Sequence, residues 1–226
     1  MFTWIQNSRL IAAMRGRIFY LLLVVTVLNF GYPLTLYLGP AGNLVFIAFY
    51  GLMFVVGVAV TSEDHKHFVR TSNAVIFWVL VWVLYTIFPA SKALQITSML
   101  SLIPCQLFIL SALMRFIYKA PVIDMNVLLA SVTIYILLAA LFSPLYNTIE
   151  ALSPGSFVDN SLGQPVQWQQ ILYFSFVTIT TTGYGDILPI NPWARSLATL
   201  EAMCGVLYVA LLMGRLVGIY SQERVR

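Results

Sequence analysis

The sequence predicts an all-α integral membrane protein: six transmembrane helices, one shorter re-entrant helix and an irregular loop at membrane depth. Three observations carry this. Of 226 residues, 60% are hydrophobic and only 9% charged, more apolar surface than a soluble domain of this size can hide. Six apolar stretches are long enough, or nearly so, to cross about 30 Å of hydrocarbon as helices. A seventh is too short to span, and it runs into Thr181-Thr182-Gly183-Tyr184-Gly185-Asp186.

The first span is expected over Ile18–Leu38, uncleaved and kinked at Pro33, and the second over Asn43–Val60. The third runs Asn73–Phe88, and the fourth Ala93–Ile117 with Pro104 inside it. The fifth runs Met125–Tyr146 and the sixth Trp193–Tyr220. Val166–Thr180 reads as the re-entrant helix, with Pro165 in its first turn, where a missing N–H costs nothing. Ser143–Gln164 reads as the longest polar loop, a turret. The resulting division is 1–120, a four-helix region, and 121–226, the fifth span through the sixth. Cys105 and Cys204 sit in apolar stretches and read as packing residues.

Basic residues set the orientation. Arg9, Arg15, Arg17, Lys66, Arg70, Arg115, Lys119, Arg215, Arg224 and Arg226 fall on one side of the predicted spans, and only Lys92 and Arg195 on the other. Both termini are therefore expected in the cytoplasm, with the glycine run opening outward. The turret acids Glu150 and Asp159, with Asp186, then face the exterior.

The glycine run has a specific chemistry. Carbonyls that all point one way need residues able to leave the usual φ/ψ basins, which glycine does at least cost. A ring of such carbonyls can replace the water shell of a potassium ion. The Thr181 hydroxyl adds an oxygen at the inner end. The C-terminal carbonyls of the short helix carry partial negative charge and favour a cation.

From Tyr173 to Gly218 the chain resembles the pore of potassium channels, especially the small prokaryotic kind. The resemblance rests on T-T-G-Y-G-D at 181–186, followed by Pro189, Trp193, Arg195 and Gly205. It implies a selectivity filter in which Thr181, Thr182, Gly183 and Tyr184 hold K+ and Gly185 completes the cage. Asp186 then stands at the pore mouth, and Val206, Val209 and Met213 line the cavity. It also implies a homotetramer in a prokaryotic plasma membrane, because one chain holds one such run and a ring needs several copies. No cofactor other than the permeant K+ is implied, and no nucleic-acid partner.

The chain departs from that pattern in its short helix. Where many members carry two tryptophans it has Tyr173 and Phe174, and Phe174 cannot donate to the Tyr184 hydroxyl. Tyr173 can still reach Asp186 and is a candidate filter brace. Val177 stands where some relatives carry a glutamate. Glu201 is an acid inside an apolar helix, a costly placement that is often functional. It reads either as a brace to the re-entrant helix through Thr178 or Thr180, or as a side chain in a wet crevice. Gly205 reads as a gating hinge or as a close-packing point, and Gly214 and Gly218 have G-x-x-x-G packing spacing.

Glu63, Asp64, His65, Lys66 and His67 fall in an expected loop, Thr61–Ser72, either as a pH- or metal-sensing group or as a solvated connection. Trp78, Trp82 and Tyr85 are read as packing or lipid-anchoring residues. No cytoplasmic sensing domain is expected after Tyr220. No catalytic constellation or phosphate loop is present, so an enzyme is not expected. Against passive potassium conduction stand two alternatives: a non-conducting membrane scaffold or sensor, and a potassium transporter subunit with a channel-like pore.

The predicted fourth span has no arginine or lysine between Ala93 and Leu113. One charge crossing 100 mV yields about 2.3 kcal/mol, so this span has little to sense voltage with. Currents recorded over a range of voltages are expected to open only shallowly; steep opening over tens of millivolts would contradict this reading.

Overall fold

The computed structural model describes residues 2–33, 40–61, 65–120, 122–160 and 166–223. In chain order they form α1 (Phe2–Phe30), α2 (Pro40–Thr61), α3 (His65–Ile87), α4 (Lys92–Leu100), α5 (Leu102–Lys119), α6 (Met125–Leu152), β1 (Phe157–Asp159), α7 (Trp168–Ile179), β2 (Ile187–Pro189) and α8 (Pro192–Glu223). Among the described residues, four segments are long and apolar enough to cross a membrane: His65–Ile87, Lys92–Lys119, Met125–Leu152 and Pro192–Arg215. The first two expected spans fall on α1 and α2, whose apolar portions among the described residues are Gly16–Phe30 and Ile47–Thr61.

Several expected boundaries move, each for a local reason. Helix α1 stops at Phe30, its last turn closed by the Gly31 N–H on Val27 O at 2.8 Å; Tyr32 and Pro33 are helical again, so the break falls two residues before the proline. Residues 34–39, the end of the expected first span, and Pro165 lie outside the described residues. The expected fourth span is two helices that meet at Ser101, where the Ser101 N–H bonds Thr97 O at 2.9 Å. Pro104 then occupies the first turn of α5, where backbone N–H groups have no helical partner to lose.

The expected loop over Ser143–Gln164 begins only after Leu152, because α6 runs on through Pro144. Proline lacks the N–H that would reach the carbonyl four residues back. That carbonyl, Ala140 O, accepts from Gln106 Nε2 at 3.4 Å instead. Asn147 Nδ2 and Thr148 Oγ1 bond the Ser143 and Pro144 carbonyls at 2.9 and 2.8 Å and hold the following turn.

The expected loop over Thr61–Ser72 is also largely helical, since α3 starts at His65. His65 is exposed and His67 buried; two positions apart on a helix, they do not face each other. Glu63 and Asp64 lie outside the described residues, among which no cluster of three or more His, Cys, Asp or Glu could hold a metal. Trp78 is buried, with Trp82 edge-on at 6.3 Å and Tyr85 beyond it at 5.7 Å. Cys105 and Cys204 are both free thiols.

The chain divides into two compact units, each discontinuous in sequence. One comprises Met1–Asn73, Leu107–Leu137 and Val209–Arg226. Within it α1 packs on α2, and Arg17 donates to Ala59 O at 2.8 Å. Arg215 donates to Ile117 O near the end of α5 and stands 5.0 Å from the Tyr118 ring centroid.

The other unit comprises Ala74–Gln106 and Leu138–Tyr208 and contains the glycine run. Its core gathers Phe142, Tyr146, Phe157, Ile171, Phe174, Ile187 and Ala194. Tyr146, Phe157 and Phe174 form a triangle of edge-on rings with centroids 5.3–5.5 Å apart, the geometry aromatic quadrupoles favour. A small antiparallel ribbon, absent from the all-α expectation, pairs β1 with β2 in the register Val158 opposite Leu188. Asn191 caps α8 by accepting the Trp193 N–H at 2.8 Å, with Pro192 in the first position.

Candidate functional site

Helix α7 has 12 residues, about 18 Å at 1.5 Å per residue, too short to cross hydrocarbon. Gln170 secures its start at both ends of one amide. Oε1 accepts the Gln167 N–H at 2.7 Å, and Nε2 donates to Asp159 Oδ2 at 2.5 Å. Asp159 is thus buried in a structural bond. Glu150 likewise accepts the Gly155 and Phe157 N–H groups at 2.8 and 3.1 Å. Both acids expected as free turret charges instead fasten the turret to itself and to α7.

At the other end of α7 the backbone turns into the glycine run. Thr181 has φ +56°, Gly183 +61° and Gly185 +77°, while Thr182, Tyr184 and Asp186 do not share the positive φ. Alternation of hand aligns successive peptide planes instead of reversing them, so N–H groups gather on one side and carbonyls on the other. The hydrogen bonds follow that division. The Thr181 N–H bonds Thr178 O at 2.9 Å, and the Thr182 and Gly183 N–H groups reach Val177 O at 3.0 and 3.4 Å. Among the described residues no donor reaches the carbonyls of Thr181, Thr182, Gly183, Tyr184 or Gly185. These five consecutive carbonyls belong to exposed residues.

Thr181 is a β-branched residue in the left-handed region, a real strain. Its neighbours fix it there: its hydroxyl donates to Thr180 O at 2.7 Å, and the Thr180 and Thr182 hydroxyls meet at 2.8 Å across it. Asp186 does not bond Tyr173 as expected. Its Oδ1 accepts the adjacent Ile187 N–H at 3.0 Å, and its carbonyl accepts Asn160 N–H at 2.8 Å, which joins the run to the turret. Tyr173 packs beside the aromatic core instead.

Glu201 is fully buried, with no wet crevice around it. Its partners are not Thr178 or Thr180. Oε1 lies 2.5 Å from Ser175 Oγ on α7, and Oε2 accepts the Tyr146 hydroxyl at 2.6 Å. Sequence reasoning missed Ser175 and Tyr146 as partners; both are buried, on α7 and α6. One turn on, Gly205 lets α8 approach the end of α7: a Cβ there would stand 2.2 Å from Ile179 O. Val206, Val209 and Met213 are exposed at 56, 47 and 54%, so the described chain leaves the expected lining face uncovered.

Residues 126–222 match a family model described as ion channel. Over 82 residues the chain is 39% identical to the inward rectifier potassium channel Kirbac3.1 of Paramagnetospirillum magnetotacticum, covering 34% of this chain and 24% of that protein. Over 88 residues it is 30% identical to the voltage-gated potassium channel regulatory subunit KCNF1 of Rattus norvegicus and of Homo sapiens, covering 33% of this chain and 18% of theirs. The chain thus spans about a quarter or less of the length of these relatives. No solved structure matches. Residues 126–222 are thus similar to ion channels, potassium channels among them.

The contact at Gly205 makes a stability prediction. Ile179 O is backbone and cannot swing aside, so Gly205→Ala is expected to cost about 1–3 kcal/mol through overpacking. Thermal denaturation of the purified protein would read this as a lowered Tm; an unchanged Tm would contradict the close approach.

Proposed function

We propose that the protein conducts K+ passively and selectively through a central pore formed by four identical chains in a prokaryotic plasma membrane. The observation that supports this best is the row of unbonded carbonyls from Thr181 to Gly185 on a backbone of alternating hand. K+ loses water on entering and takes carbonyl oxygens in exchange. The Thr181 hydroxyl oxygen completes the inner site, and Asp186 marks the mouth. Tyr184 is 71% exposed in the single chain, a large aromatic surface that neighbouring copies would cover.

On this reading 121–226 is the pore domain and 1–120 a four-helix domain, six spans in all, with both termini cytoplasmic. Val206, Val209 and Met213 line the cavity below the filter, and Gly205 is the point about which α8 bends during gating. Tyr173 and Glu201 hold α7 in place. Gating is not steeply voltage-dependent. Similarity to KCNF1, a regulatory subunit, favours one second reading, a non-conducting membrane sensor.

Purified protein in liposomes under a potassium gradient separates the two. The conducting reading predicts a reversal potential that follows potassium and ignores sodium. Flux that treats both ions alike would overturn selectivity, and no flux under any condition would favour the sensor.

A further inference from the structure

Three oxygens around Ser175 do not share out their hydrogens if Glu201 is ionised. Ser175 Oγ lies 2.6 Å from Ala139 O and 2.5 Å from Glu201 Oε1. A hydroxyl has one hydrogen to give, whereas a carbonyl and a carboxylate only accept. Both separations are those of full hydrogen bonds, not of one hydrogen divided between two acceptors. The Tyr146 hydroxyl spends its single hydrogen on Oε2 at 2.6 Å. With an ionised Glu201, one of the two short contacts at Ser175 would press lone pair against lone pair.

We infer that Glu201 is a neutral carboxylic acid that donates a hydrogen bond to Ser175. Oε1–H then donates to Ser175 Oγ, Ser175 donates to Ala139 O, and Tyr146 donates to Oε2, so every hydrogen has one acceptor. The surroundings agree. Glu201 is completely buried and, among the described residues, no cation pairs with it. The titratable groups near it are Tyr146 on α6 and, on its own helix, the partly buried Cys204; α7 presents Ser175. An unpaired charge there would cost several kcal/mol. The relay links α6, α7 and α8 one turn from the Gly205–Ile179 contact. Its effect on ion passage rests on the channel reading, under which Glu201 is a positioning residue that touches no ion. Removing the proton would force Ser175 to abandon one of its two partners and loosen α7.

Infrared spectra of the protein in lipid vesicles test the assignment whether or not the vesicles pass K+, so its failure and that of the conducting reading are separately visible. At neutral pH a carboxylic-acid C=O band is expected in the wild type and missing in Glu201→Gln. In Ser175→Ala that band should move to higher frequency, since the acid loses its acceptor. Glu201→Gln, whose amide can donate to Ser175 and accept from Tyr146, should keep the neutral-pH Tm, while Glu201→Leu lowers it. Raising the pH should lower the Tm of the wild type but not of Glu201→Gln. A carboxylate band in place of the acid band, an acid band unmoved in Ser175→Ala, a Gln variant as unstable as the Leu variant, or identical pH profiles would overturn it.

Discussion

A 12-residue helix that ends in backbone without regular structure must be held at its depth by the helices beside it. Everything described around the glycine run follows from that constraint. At its start α7 is tied to the turret through Gln170 and Asp159. Along its length Phe174 enters the aromatic triangle with Tyr146 and Phe157. Ser175 meets Glu201 and Ala139, and at the end the Ile179 carbonyl sits where Gly205 has no side chain. Tyr146 serves two of these ties at once, its ring in the triangle and its hydroxyl on Glu201.

That suspension gives the run its polarity. The last carbonyls of α7, at Val177 and Thr178, collect the N–H groups of Thr181, Thr182 and Gly183. With the donors drawn back toward the helix, the carbonyls have nowhere to go but outward. Glycine supplies two of the three left-handed residues without strain. The third is Thr181, whose hydroxyl donates to Thr180 O while the Thr180 and Thr182 hydroxyls bond each other across it. A threonine there adds a hydroxyl that donates to Thr180 O, which glycine could not.

The sequence made the run and the short helix legible because both depend on local chemistry: glycine at left-handed positions, and an apolar stretch too short to span. It marked Glu201 because an acid in an apolar helix is costly wherever it points. It did not reveal the partner, since Ser175, Thr178 and Thr180 are equally plausible hydroxyls until the rotation of α7 is known. The turret misled for a related reason. Asp159 and Glu150 look solvated in a polar stretch, yet each meets a donor brought by the chain's return path. The fifth span was expected to end at Tyr146, but Gln106 from a distant segment takes the carbonyl that Pro144 leaves free, and α6 runs on to Leu152. Local signals were legible, and pairings across long sequence separations were not.

The central claim is that the carbonyls of Thr181 to Gly185 become an ion site only when several copies bring them together. An electron density map of the protein in lipid tests this most directly. The account predicts four chains around one axis, with those carbonyls facing it and density for ions between them. A map in which the run faces away from any symmetry axis, or in which one chain stands alone, would contradict it.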